Sequence, residues 1–266
     1  GANVNFFSVV GKDETCNYVR KQLDSQGVHI HLFQDESRPT TLKQRFRARQ
    51  KTLLRVSHLR QHAIPTEIRE QFYKEIKEVL SGIDLVIFSD FNYGCLPQTL
   101  VDQVIEMCTQ KEIMMVADSQ SSSQIGDISR FKKMTLVTPT EREARFAIHD
   151  FESGLVVLAE KLRQKSASRN VIITLGEEGA LIHAETEKYG DWLTDRLPAF
   201  NTAPKDVSGA GDSFLTCTSM ALAVGADIWK SSYLGSLAAA CQIGRVGNIP
   251  LTPKDIKAEI NGFNLV

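Results

Sequence analysis

Late in the chain, the run "DVSGAGDSF" (residues 206–214) places Gly209, Gly211 and Asp212 within four residues, just ahead of a long apolar segment. The two glycines allow backbone angles that other residues avoid, so a tight turn can leave several N–H groups pointing outward. A helix expected to begin near Asp212 adds its unsatisfied first-turn N–H groups and the positive end of its dipole. Together these make an anion site suited to a phosphate. A carboxylate beside a phosphate is a poor binding group. It is well placed, however, to accept the proton of an attacking hydroxyl, as phosphoryl transfer requires. The plain alternative is a helix cap, with Ser208 or Asp212 capping an ordinary helix.

Competing motifs fail on particular residues. A dinucleotide fingerprint needs glycine at 214, where Phe214 stands, and a Walker A loop needs Gly-Lys-Ser/Thr after the glycines. H-E-x-x-H, G-x-S-x-G and zinc-type ligand spacing are absent; His29 and His31 alternate on an expected strand and read as structural.

The elements that must position such a site alternate along the chain. Short apolar strands are expected in "NVNFFSVVG", at 83–90, 112–118, 134–139 and 170–176, and at 179–184, the last two forming a hairpin around "EEG". Helices are expected at about 14–26, 97–110, 152–165, 212–224, 229–243 and 253–261. Nearly all-apolar strands separated by helices signal an α/β fold, a doubly wound, mostly parallel sheet with helices on both faces. The interruption is 38–58, which alternates like a strand and puts Lys43, Arg45, Arg47, Arg49 and Lys51 two apart, on one face of an extended strand. That face is either a solvated edge or a small β lid over an anionic substrate.

With 266 residues, 42% hydrophobic and 24% charged, the chain has ample material for a core. A net charge of −1 gives no global field for nucleic acid or an anionic membrane. Cys16, Cys95, Cys108, Cys217 and Cys241 are scattered and odd in number, which suits a reducing compartment. No apolar run reaches the ~18 residues of a membrane span, so the expected location is cytoplasmic. The opening "GANVNFFSVVGKDE" reads as a strand already under way, and a preceding segment is expected.

"DVSGAGDSF" resembles the signature of the PfkB, or ribokinase-like, family of sugar and nucleoside kinases. Four further segments follow the family's order: "GANVNFFSVVGKDE", "TPTEREA" at 138–144, "ITLGEEGA" at 173–180 and "AAACQIGRVGNIP" at 238–250. The resemblance covers essentially the whole chain, 1–266, as a single ribokinase-like domain, N-terminally incomplete, with 38–58 as its lid. "RPTTLKQRFRARQKTLLRVS", "SDFNYG" and "IGRVGNIPLT" look most like the heptose 7-phosphate kinase branch.

The resemblance implies an ATP-dependent kinase transferring the γ-phosphate to a hydroxyl of a sugar or sugar phosphate. Its alternatives are a nucleoside or vitamin kinase of the same fold, or a pseudokinase that binds sugar and nucleotide without turnover. It implies Asp212 as the base, with Gly209, Ala210 and Gly211 as the anion hole. Glu143 would organise Mg²⁺ through water, Thr174, Gly176 and Gly179 would line the nucleotide side, and Gly247 and Asn248 would lie near the adenine. Asp90 and Asp118 would meet sugar hydroxyls or cap the turns after their strands, and Arg45 and Arg47 would face the substrate from the lid. ATP, Mg²⁺ and a monovalent cation are the expected cofactors. The expected partner is a small-molecule sugar, with no nucleic acid and no membrane, in a homodimer formed through the lid. The chain departs from the family's pattern at Thr140, where the N-x-x-E motif has asparagine. It departs from the branch at Tyr93 and Gln120, where the branch has lysine.

Overall fold

A computed structural model describes residues 1–48, 51–120, 125–185, 192–201 and 203–263. They divide into two compact units, 1–83 with 92–111, and 84–91 with 112–266.

In the first unit, β1 (Asn5–Val10) leads through α1 (Glu14–Ser25) to β2 (His29–Gln34), which pairs with β1 in parallel. Asp13 starts α1 by accepting the Cys16 amide at 2.9 Å. The ring of His31 stacks on Phe7 at 4.1 Å, and Phe33 lies 4.8 Å from Phe72 of α2 (Thr66–Val79). That helix is not among the elements expected above. Its apolar residues Ile68, Phe72, Ile76 and Val79 recur every three or four positions, which is the helical signal. In α3 (Gln98–Gln110), Leu100, Val101, Val104, Ile105 and Cys108 supply the buried face.

The 38–58 segment corrects one expectation. It forms two antiparallel strands, β3 (Leu42–Ala48) and β4 (Lys51–His58), with Lys51 paired to Ala48. Five cations on one face of one strand therefore do not occur. Lys43, Arg45 and Arg47 share a face of β3, and Arg49 lies outside the described residues. Pairing the two halves lets each strand satisfy backbone groups that a single edge would leave to water. It also brings Phe46 opposite Leu54, and Arg45 opposite Arg55.

The second unit is built on a six-stranded sheet. Its parallel members are β5 (Leu85–Asp90), β6 (Met114–Ser119), β7 (Leu136–Val137) and β8 (Asn170–Thr174). Then β9 (Ala180–Glu185) and β10 (Trp192–Leu197) continue antiparallel, in the order β10-β9-β8-β7-β6-β5. Five helices follow from β7 onward: α4 (Glu141–Ile148), α5 (Leu155–Ser166), α6 (Ala210–Ala223), α7 (Ile228–Ile243) and α8 (Pro253–Phe263).

Alternation along the strands shows helices on both faces. Ile172 and Ile182 pair across β8 and β9 and pack with Phe214 and Leu215 of α6. The neighbouring pair, Val171 and His183, turns the other way, where His183 bonds Glu160 of α5 at 2.9 Å. Strands buried on both faces explain the unbroken apolar run "VII" in β8. No helix among the described residues is long and apolar enough to cross a membrane.

Candidate active site

The glycine turn starts α6 two residues earlier than expected, at Ala210, with Gly209 as its N-cap. Neither Ser208 nor Asp212 is the cap; Asp212 is the third residue of the helix, inside the first turn. There the amides lack intrahelical acceptors, and the dipole end is positive. Gly209 holds φ at +79°, and a Cβ on it would stand 2.3 Å from Asn248 Oδ1. A side chain at 209 would thus be strained and would displace the loop after α7. The Ala210 amide leans toward the Val207 carbonyl at 3.4 Å, a long bond that competes weakly with an anion.

Two polar side chains lock the 247–248 loop onto this turn. Asp206 accepts the Ser208 amide through one oxygen and the Gly247 amide through the other, both at 3.1 Å. Gln242 is buried on α7, and its Nε2 reaches the Ser208 and Gly247 carbonyls at 3.3 and 3.2 Å. Both residues stand inside quoted motifs, yet only the tertiary contact reveals their task.

On the sheet side, Asp90 ends β5 buried at 4% exposure and accepts Arg130 Nη2 at 2.8 Å and Ser119 Oγ at 3.3 Å. Arg130 is not among the residues singled out from the sequence. Next to it, Asp118 on β6 is pushed up to about 8, first by burial and then by the negative charges of Glu143 and Asp212, with Asp90 a smaller influence. Glu143, Asp212 and Asp90 thus converge electrostatically on Asp118. Gln120, one residue beyond β6, donates Nε2–H to Asp212 Oδ1 at 3.0 Å.

Glu143 is buried in the first turn of α4 and closes a capping box with Thr140. Its Oε2 accepts both the Thr140 amide and the Thr140 hydroxyl at 2.8 Å, while the hydroxyl accepts the Glu143 amide at 3.2 Å. Threonine in place of asparagine therefore still fixes the acidic side chain. Thr140, Thr174 and Gly176 line a cavity of about 490 Å³ with Glu141, Arg142, Arg145, Phe151 and Leu175. Gly179 is not in its lining; it sits against the backbone of Leu197 and Pro198.

Arg45 and Arg47 lie on β3 in the first unit, as does Tyr93. Tyr93 is buried, and the Lys43 ammonium stands 4.9 Å from the centre of its ring. Tyr93 is thus an aromatic platform that carries a cation from β3.

The Arg142 and Arg145 guanidinium groups that line the cavity beside Thr140 and Thr174 suit an anionic ligand such as a polyphosphate. No group of three or more His, Cys, Asp or Glu able to hold a metal ion occurs among the described residues. The buried, fixed carboxylate of Glu143 fits Mg²⁺, which takes one or two carboxylates, phosphate oxygens and water rather than a protein cage.

A doubly wound sheet with a carboxylate in the first turn of a helix behind a glycine turn defines the ribokinase-like class of kinases. The solved structures agree on the fold. Escherichia coli phosphofructokinase-2, crystallised in complex with potassium, superposes with a TM-score of 0.79 at 15% identity, covering 99% of this chain and 83% of that one. Thermotoga maritima ribokinase gives 0.72 at 18% identity, covering 97% and 81%. The profile described as "pfkB family carbohydrate kinase" matches residues 1–255, and the chain belongs to that family. Among curated relatives, the "Bifunctional protein HldE" of Helicobacter hepaticus is 31% identical over 260 residues, covering 96% of this chain and 52% of that protein. The protein of that name from Nitratiruptor sp. is 28% identical, covering 97% and 53%. The chain thus spans about half the length of the curated relatives it matches.

Proposed function

We propose that the chain is an ATP-dependent kinase that transfers the γ-phosphate to a hydroxyl of a sugar or sugar phosphate, in heptose-type nucleotide-sugar synthesis. The observation that carries this reading is Asp212 in the first turn of α6, directly after the glycine turn that starts the helix. Asp212 accepts the hydroxyl proton as the oxygen attacks. The N-terminal amides of α6 stabilise the charge on the moving group, each such donor contributing ~3 kcal/mol. Glu143, fixed by Thr140, would hold Mg²⁺ through water, and the ion would neutralise phosphate charge. Thr174 and Gly176 serve the polyphosphate, while Gly247 and Asn248, held by Asp206 and Gln242, serve the base. Gly179 acts on the nucleotide side through the hairpin it closes. A monovalent cation completes the cofactor set, in line with the potassium complex of phosphofructokinase-2.

Both compact units work as one kinase domain, in keeping with a family match that runs through both. Asp90 and Asp118 meet the acceptor from the sheet of the second unit, and Arg45 and Arg47 give β3 of the first unit a positive face suited to an acidic group. The chain acts in the cytoplasm as a homodimer through the lid. Phe46, Leu53 and Leu54 support that assembly, being 51%, 71% and 54% exposed.

The test is Asp212→Asn. The variant is expected to bind ATP with unchanged affinity by calorimetry and to lose phosphoryl transfer at least about a hundredfold. Turnover near wild type would remove Asp212 from the mechanism.

A further inference from the structure

We propose that Gln120 is a positioning residue for Asp212: its side-chain amide holds one carboxylate oxygen and thereby turns the other toward the acceptor hydroxyl. The inference rests on Asp212 being the base. The contact is Gln120 Nε2 to Asp212 Oδ1 at 3.0 Å. An ionised carboxylate only accepts, so the amide must present its NH₂ end there. The side chain is half-buried, which partly shields the bond from water.

The donor is itself well anchored. The Gln120 amide bonds the Asp90 carbonyl at 2.8 Å, directly after the β5–β6 ladder ends at the pair Asp90 and Ser119. The Asp90 carboxylate is in turn held by Arg130 at 2.8 Å. A chain of contacts therefore runs from Arg130 through Asp90 and Gln120 to the proton acceptor, and each link lies in the second unit. Proton abstraction depends on which carboxylate lone pair faces the hydroxyl, so fixing the rotation of Asp212 affects the chemical step more than nucleotide binding. Lysine, the branch's residue here, can likewise donate to the carboxylate. Leucine has similar bulk and no donor.

The experiment uses the full chain with MgATP and the best acceptor from a panel of heptose and hexose phosphates. Gln120→Leu and Gln120→Lys are measured alone and in the Asp212→Asn background. Gln120→Leu is expected to lower kcat about tenfold or more, the range for losing a hydrogen bond to a charged group, with KM for MgATP and Tm unchanged. Gln120→Lys should restore most of that loss. In the Asp212→Asn background, Gln120→Leu should make no further difference. An unchanged kcat in Gln120→Leu overturns the proposal, as does an equal proportional loss in the Asp212→Asn background. A loss that comes with a lower Tm and is not rescued by lysine also overturns it. Turnover that survives Asp212→Asn would instead sink the base assignment itself, so the two failures are distinguishable.

Discussion

Asp118 shows how far a single residue's chemistry depends on its surroundings. In the unfolded chain it loses its proton near 3.8, whereas in the folded protein it keeps it up to about 8. Between those values the native state binds more protons, so this group's contribution to stability falls as pH rises. The slope reaches at most about 1.4 kcal/mol per pH unit. Asp118→Asn removes the penalty, so in EDTA and without nucleotide the variant should gain on the wild type as pH goes from 5 to 7. Urea unfolding at each pH reads the difference, and parallel stability curves would contradict it. The spacing of Asp118 on an apolar strand was legible in the sequence. Its crowding by Glu143 and Asp212, both distant along the chain, was not.

At the scale of elements, the site depends on how closely α6 approaches α7. Gly235 of α7 permits that approach, since a Cβ there would stand 2.0 Å from Thr218 Oγ1 and 2.9 Å from the Phe214 carbonyl. Thr218 is fully buried, and the Phe214 carbonyl is helix backbone, so neither can yield without moving its neighbours. Gly235→Ala should force the helices apart and cost about 1–3 kcal/mol, the usual penalty of overpacking. Because α6 carries Asp212 and α7 carries Gln242, kcat should fall together with Tm. An alanine variant as stable as wild type would show that the interface can relax. The helix boundaries around this pair were nearly legible from periodicity, but the start of α6 was misplaced by two residues. Glycines at a helix mouth carry no hydrophobic signal, and only the left-handed angle at Gly209 fixes where the helix begins.

Two predictions belong to the whole molecule. Phe46 and Leu54, paired across β3 and β4, present apolar surface that a dimer would cover. Sedimentation velocity should find wild type as a dimer and the Phe46→Asp, Leu54→Asp double variant as a monomer; a monomeric wild type would end the lid-dimer reading. The acceptor is the second. Tyr93 and Gln120 stand where the branch carries lysines, and each charge-assisted phosphate bond is roughly twice as strong as a neutral one. We expect an acceptor other than heptose 7-phosphate, its acidic group held by Lys43, Arg45 and Arg47. Side-by-side kcat/KM values settle it, and heptose 7-phosphate far ahead of every other sugar would show that Lys43 over Tyr93 replaces the lost charge.

By itself the sequence determined the alternating α/β order, the hairpin of β8 and β9, and the glycine turn with its aspartate. These are local features, set by period, by turn chemistry and by residues adjacent in the chain. It misread 43–51 as one strand, because alternation persists through a strand pair and does not mark where the chain reverses. It passed over α2, whose apolar stripe is diluted by charge. Only the tertiary structure decided that Gln120 bonds Asp212, that Arg130 holds Asp90, and that Asp206 and Gln242 fasten the 247–248 loop to Gly209. Apart from the short reach of Gln242 to Gly247, these contacts join residues 34 or more positions apart. Polar pairing at such range follows from how strands and helices pack, and no one-dimensional pattern encodes it.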